Sequence, residues 1–129
     1  MKILLDTNAL LWWFVGDSRF SARALAALDE AVEVYFSMVN LWEVGLKMGK
    51  GGYDFPMPAD WEVALPAFAE KFDVKETTFG ARHCKLIETL PFHHKNPFDR
   101  MIIAQALIEG LEVVSSDEKF EKYGVKRIW

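Results

Sequence analysis

The sequence predicts an α/β domain built on a parallel sheet with helices on both faces. Two observations lead there. The opening segment KILL (2–5) puts Ile3, Leu4 and Leu5 in succession with no polar alternation, which suits a strand buried on both sides. Short strand-like pieces of this kind then alternate with longer helix-like ones, the rhythm of βα units. In order, strands are expected at 2–5, 32–36 (VEVYF), 112–115 (EVVS) and 126–129 (KRIW). Helices are expected at about 9–15, 20–30, 38–48, 59–71, 79–89, 97–109 and 117–122. The stretch GKGGYDFPMPAD (49–60) is the one clear breaker cluster and reads as a mobile loop. It does not divide the chain, because neither side could form a core alone, so residues 1–129 are expected to make a single domain.

A chain of 129 residues, 51% hydrophobic and 14% aromatic, can bury a sizeable core. One cysteine, Cys84, excludes an internal disulfide and a thiolate metal cluster, and suits a reducing cytoplasm. The start has a single Lys2 before a strand-like run and does not resemble a signal peptide. No apolar run approaches the roughly 18 residues of a membrane span, so no membrane partner is expected. The net charge of −4 argues against nucleic-acid binding by a basic surface alone, unless a bound cation offsets some of the acids.

Four carboxylates deserve separate weighing. Asp6 stands at the end of the first strand and is well placed to cap the next helix. Asp117 follows the apolar run EVVS in the same way, with Ser115 or Ser116 sharing the capping. Asp99 lies in NPFDR, where Asn96 caps and Pro97 opens a helix, so it falls in the first turn and favours the helix dipole. Glu43 sits in SMVNLWEVGLKMGK. If Ser37 caps that helix, Met38, Leu41, Trp42, Gly45 and Met48 form its packed side, and Glu43 is left near Asn40 and Lys47. Each position has a plain structural explanation, and for Glu43 a surface pair with Lys47 is the simplest one. Together they say more. Ligands of open parallel sheets bind beyond the carboxyl ends of the strands, where two strand-end acids meet. Carboxylates about 4 Å apart repel by roughly 4 kcal/mol at an effective dielectric near 20. A cluster therefore calls for a hard cation, and oxygen ligands alone suit Mg²⁺ or Mn²⁺.

Four segments, LLDTNALLWW, SMVNLWEVGLKMGKG, LPFHHKNPFDRMIIAQA and VVSSDEKF, in this order and spacing, resemble the PIN-domain ribonucleases, specifically the VapC toxins of bacterial type II toxin–antitoxin pairs. The likeness covers almost the whole chain. It implies a parallel sheet of four or five strands, a divalent metal held by Asp6, Glu43, Asp99 and Asp117, and polar support from Asn8, Ser37 and Ser116. It implies Mg²⁺-dependent hydrolysis of RNA by metal-activated water, leaving 5′-phosphate and 3′-hydroxyl ends; Arg100, beside Asp99, reads either as a solvated charge or as a phosphate contact that helps stabilise the developing charge. It also implies a small cognate antitoxin and assembly as a homodimer or a toxin–antitoxin hetero-oligomer. One departure stands out: relatives often have an acidic residue where this chain has Asn96, so any ligand or charge supplied there is missing.

Other residues receive plainer readings. His83, His93 and His94 read as loop or surface residues, with His94 nearest the substrate, and Cys84 as a small packed residue. Trp12, Trp13 and Phe14 cannot all face inward on one helix, so a partner groove is expected between helices 9–15 and 38–48, near Trp12, Trp13 and Trp42. Two rival functions remain open. A metal phosphatase or phosphoacceptor domain would ordinarily need a DxD pair or a dedicated lysine, and an inactive PIN-like binding module would not need all four acids.

Overall fold

A computed structural model describes all 129 residues. Five parallel strands run in the order β3-β2-β1-β4-β5. They are β1 (Lys2–Leu5), β2 (Glu33–Ser37), β3 (Val74–Thr77), β4 (Glu112–Val114) and β5 (Arg127–Ile128). The helices are α1 (Thr7–Val15), α2 (Ala22–Glu30), α3 (Met38–Gly49), α4 (Trp61–Lys71), α5 (Ala81–Ile87) and α6 (Pro97–Glu109), with a 3-10 helix at Glu118–Tyr123. None is long and apolar enough to cross a membrane.

The first strand is the middle of the sheet. Leu4 pairs in register with Tyr35 of β2 on one side and Val113 of β4 on the other. Both faces of β1 are covered, which is why KILL carries no polar alternation: Ile3 and Leu5 enter one core with Leu10, Leu11, Phe36, Val44 and Leu65, and Leu4 enters the other with Ile102, Ile103, Val113 and Phe120. Ile3, Leu4 and Leu5 are fully buried. Each such side chain contributes roughly 1.5–3 kcal/mol of hydrophobic stabilisation.

The helices begin and end where local chemistry requires. Ser37 accepts the Val39 N–H with its hydroxyl, while Asn40 Oδ1 accepts the Ser37 N–H at 2.7 Å, a reciprocal cap that starts α3 directly from β2. Asn96 caps α6 ahead of Pro97 by accepting the Phe98 N–H at 3.0 Å. The same helix ends at Gly110, whose φ of 69° would strain any residue with a Cβ.

Three expectations need correction. The edge strand β3 (VKET) was not anticipated, since Val74 is its one buried residue and Lys75 and Glu76 face solvent. The 49–60 loop is packed rather than loose. Tyr53 and Phe55 stack at 4.9 Å and rest on the core with Met57, and Arg19 ties the loop down through Asp54. The buried side of α3 is Val39, Asn40 and Val44, with Leu41 and Met48 resting on the core as expected, whereas Met38 and Trp42 are 59% and 56% exposed.

Candidate active site

The sheet order changes direction beside β1, and it is beyond the carboxyl ends of strands at such a point, here β1 and β4, that open parallel sheets place their sites. Asp6 leaves the end of β1 and caps α1, its Oδ1 accepting the Ala9 N–H at 2.8 Å. Asp117 follows β4 and caps the 3-10 helix, accepting the Lys119 N–H at 3.0 Å. Asp99 stands in the first turn of α6. Capping thus explains where these three acids stand, and the topology explains why they meet.

Their electrostatics record the convergence. Burial raises the Asp99 carboxyl to about 8, and the charges of Asp6, Glu43 and Asp117 add to the rise against a smaller opposing pull from Lys47. Burial likewise lifts Asp6 to about 6, opposed by hydrogen bonds from Ser115 and the Ala9 N–H and reinforced by Glu43 and Asp117. All four acids therefore share one field. Glu43 belongs to it rather than to a surface pair, since Lys47 makes no ion pair with it and instead places its ammonium 5.3 Å from the Tyr53 ring.

His94, expected as a loop or surface residue near the substrate, stands among the acids themselves. It is buried, and its Nε2 lies 2.6 Å from Asp117 Oδ2 and 3.1 Å from Asp99 Oδ2. These three side chains bring potential ligand atoms within 4.8 Å of one another. The tautomer decides its part. Nδ1 accepts the Asn96 N–H at 3.1 Å, so Nε2 carries the proton and points it at the carboxylates. His94 is therefore a donor that positions two acids, not a lone pair offered to an ion. His83 repeats the arrangement elsewhere: Nδ1 accepts the Gly80 N–H, and Nε2 faces Glu109 at 3.1 Å. It is buried on α5, not a surface residue. His93 is exposed beside Tyr123.

The supporting residues sort differently from expectation. Ser37 is fully buried and serves as the α3 cap. Asn40 carries the link inward, donating to Thr7 Oγ1 at 2.9 Å and so tying α3 to the start of α1. Ser116 is exposed. The hydroxyl that serves the site is that of Ser115, which accepts the Asp117 N–H at 3.0 Å and holds the Asp6 carboxyl down. Asn8 is exposed on α1 at the edge of a cleft of about 250 Å³, with Trp12, Lys47 and Tyr53. Arg100 is no phosphate ligand: it is 5% exposed and donates to the carbonyls of Pro91 (2.8 Å), Leu90 (3.1 Å), and His94 and Ile87 (both 3.4 Å). Cys84 is exposed, not packed.

The expected tryptophan groove is reduced to a small cleft between Trp12 of α1 and Lys47 of α3. Trp13 is packed among Phe20, Phe68 and Phe72, and Trp12 lies against Trp129 at 5.7 Å beneath the Arg19 guanidinium. Tyr53 and Phe55 of the packed loop border the small cleft left beside Trp12 and Lys47. Trp42 alone is presented outward, edge-on to Phe98 at 5.5 Å.

The sequence profile of the PIN domain matches residues 3–126, and the chain belongs to the PIN domain family. Solved structures agree on the fold. VapBC2 from Rickettsia felis, bound to a DNA fragment from its promoter, superposes with a TM-score of 0.71 at 14% identity, over 98% of this chain and 97% of that one. FitAcB from Neisseria gonorrhoeae gives 0.63 at 20% identity, over 97% and 95%. VapC20 from Mycobacterium tuberculosis, a Sarcin-Ricin loop cleaving toxin, gives 0.62 at 19% identity, over 95% of each chain. Among curated proteins no sequence match was found.

The donor set fits a divalent cation, because burial, with the neighbouring carboxylate charges adding to it, raises the proton affinity of Asp6 and Asp99, and a cation in the place of those protons would neutralise the oxygens. This has a thermal consequence. The Asp6 and Asp99 carboxyls sit above their unfolded value near 4, so the folded state holds protons that the unfolded state has released. Metal-free stability accordingly falls as pH rises from about 4 through about 8. Melts in EDTA should run lower at pH 8 than at pH 5.5, and millimolar Mn²⁺ should restore the loss mainly at pH 8. At 100 times the dissociation constant the gain is roughly 2.7 kcal/mol, or about 10 °C for a domain of this size. Asp99→Asn should flatten both effects; melting that ignores pH and metal alike would count against the site.

His94→Ala should weaken Mn²⁺ binding by about 10- to 100-fold, as loss of a group that orients ligands does. His94→Gln, whose amide nitrogen can stand near the Nε2 position, should recover part of it. Calorimetric titration reads both, and wild-type affinity in His94→Ala would remove the positioning role.

Proposed function

We propose that the protein is a divalent-metal-dependent endoribonuclease, using Mg²⁺ with Mn²⁺ as a substitute, and that it acts as the toxin of a type II toxin–antitoxin pair. The observation that carries this reading is the convergence of Asp6, Glu43, Asp99 and Asp117 on one field at the carboxyl edge of the sheet, in a PIN domain. The RNA-cleaving relative and the toxin–antitoxin relatives of the same fold support it.

Those four acids would hold the cation, which when bound supplies an activated water at neutral pH and offsets charge on the phosphoryl oxygens. The protein's part is placement. The caps on α1 and the 3-10 helix fix Asp6 and Asp117, the His94 N–H keeps Asp99 and Asp117 turned toward each other, and Ser115 joins Asp6 to Asp117. Arg100 holds the loop that carries His94, and so acts on the acids at one remove.

A nuclease of this kind needs restraint. The partner is a small cognate antitoxin, in a hetero-oligomer or beside a homodimer, and Trp42 is the one of the three tryptophans positioned to meet it. The deciding experiment is expression in cells with new 5′ ends mapped across total RNA, beside hydrolysis of purified RNA with Mg²⁺ and with EDTA. Discrete 5′-phosphate ends that need the cation are expected. Intact RNA in both settings would overturn the reading.

A further inference from the structure

A cleft of about 410 Å³ leads away from Glu43, within the size range of sites that hold small molecules. Lys47 and Lys50 on the last turn and end of α3 line one side, and Asn96, Pro97 and Phe98 at the start of α6 line the other. Glu43, one of the four acids, lines it, and it is open to solvent. We infer that this cleft binds one unpaired nucleotide of the substrate strand beside the scissile phosphate, with a backbone phosphate against Lys47 and Lys50 and the base against Phe98.

Charge is the first support. The protein carries a net −4, yet two exposed lysines that make no ion pair stand together on one wall of this cleft. Lys47 is near enough to the acids for its charge to act on Asp99. A strand that places one phosphate at the four carboxylates must keep its neighbouring phosphates out of that negative field, and the lysines lie on the side where the cleft lets the strand pass. The opposite wall is the second support. The half-buried Phe98 ring, braced edge-on by Trp42 at 5.5 Å, and the flat Pro97 ring offer an apolar surface of the kind on which bases stack. Cations facing an aromatic wall match a nucleotide's two halves. A base paired in a duplex could not lie on that wall, so the nucleotide in the cleft is unpaired.

The inference rests on the ribonuclease reading, and its test separates the two. The parent is Asp6→Asn, which removes cleavage but keeps a capping side chain; the probe is a 5′-fluorescein 12-mer of mixed-sequence single-stranded RNA, read by anisotropy in Mg²⁺ over a salt series. Adding Lys47→Ala and Lys50→Ala should weaken binding at least tenfold. The slope of log affinity against log salt should fall by about 0.7, the contribution of one phosphate contact on a single strand. Phe98→Leu, which keeps an apolar residue for the fold, should cost about fivefold with the slope unchanged. A duplex of the same sequence should bind more weakly than the single strand and respond little to the three changes.

In the active protein Lys50→Ala should raise KM for RNA with kcat held, the mark of lost ground-state binding. Unchanged affinity and slope, or a parent that does not bind the 12-mer, overturns the inference. So does a lysine variant whose only defect is in binding the neighbouring antitoxin, which would make the cleft a protein interface. If the unmodified protein cleaves RNA while any of these results holds, the nucleotide cleft alone is wrong. If it cleaves none, the ribonuclease reading fails with it.

Discussion

Asp6→Asn, Asp99→Asn and Asp117→Asn each lower RNA cleavage by roughly a thousandfold or more, a loss of about 4 kcal/mol in transition-state stabilisation, while the protein stays folded. The substitution removes charge with little change of shape. At Asp6 and Asp117 it also keeps the cap, because an asparagine oxygen accepts the Ala9 or Lys119 N–H as the carboxylate does. At Asp6 and Asp99 it removes a buried acid held above its ordinary range, so metal-free variants should melt no lower than the parent at pH 8. Glu43→Gln should be comparably damaging, because Glu43 acts on both Asp6 and Asp99. Single-turnover cleavage and circular dichroism on the same preparations check the set. Wild-type rates in folded Asp6 and Asp117 variants would remove the site from the reaction.

The largest effect on stability is expected at Arg100. Its guanidinium is buried and donates to four backbone carbonyls between Ile87 and His94, with the Tyr123 hydroxyl at 3.4 Å and the Phe92 ring 4.1 Å away. Arg100→Ala leaves those acceptors unanswered and opens a void, at a cost of about 3–5 kcal/mol. Against the 5–15 kcal/mol typical of whole domains, that is a large share. Arg100→Lys should recover little, since a point-like ammonium cannot span carbonyls that a planar fork reaches together. Urea denaturation measures it, and a loss under about 1 kcal/mol for Arg100→Ala would show that water already satisfies the loop.

Arg100 also marks where sequence reading stops. Its neighbour Asp99 was legible because Asn96 and Pro97 fix the start of a helix, and Asp6 and Asp117 because each closes an apolar strand. Those signals are local, and capping is a local event. Whether Arg100 faces solvent or the underside of a loop depends on how residues 87–94 return over α6, which no spacing within FDR encodes. His94 failed for the same reason, being defined by two carboxylates from separate elements. The α3 error has another origin: MVNLWEVGLKM is apolar on more than one face, so a helical period fits either the Met38–Trp42 side or the Val39–Val44 side, and only the sheet chooses. The edge strand β3 was illegible because a single buried Val74 carries no period. The 49–60 segment was misjudged because its glycines outweighed Tyr53, Phe55 and Met57, which are what anchor it.

The central place of β1 has a consequence for synthesis. The first strand made is the one that needs neighbours on both sides, and its second neighbour, β4, does not begin until residue 112. Asp6 leaves the ribosome early, yet its fellow carboxylate beyond the strand ends is Asp117. At about 5–20 residues per second the two are separated by several seconds of translation, during which the emerging chain carries one end of a site and not the other. A chain stalled anywhere before Asp117 lacks that second acid, so the acidic cluster is completed only as the sheet gains its last strands.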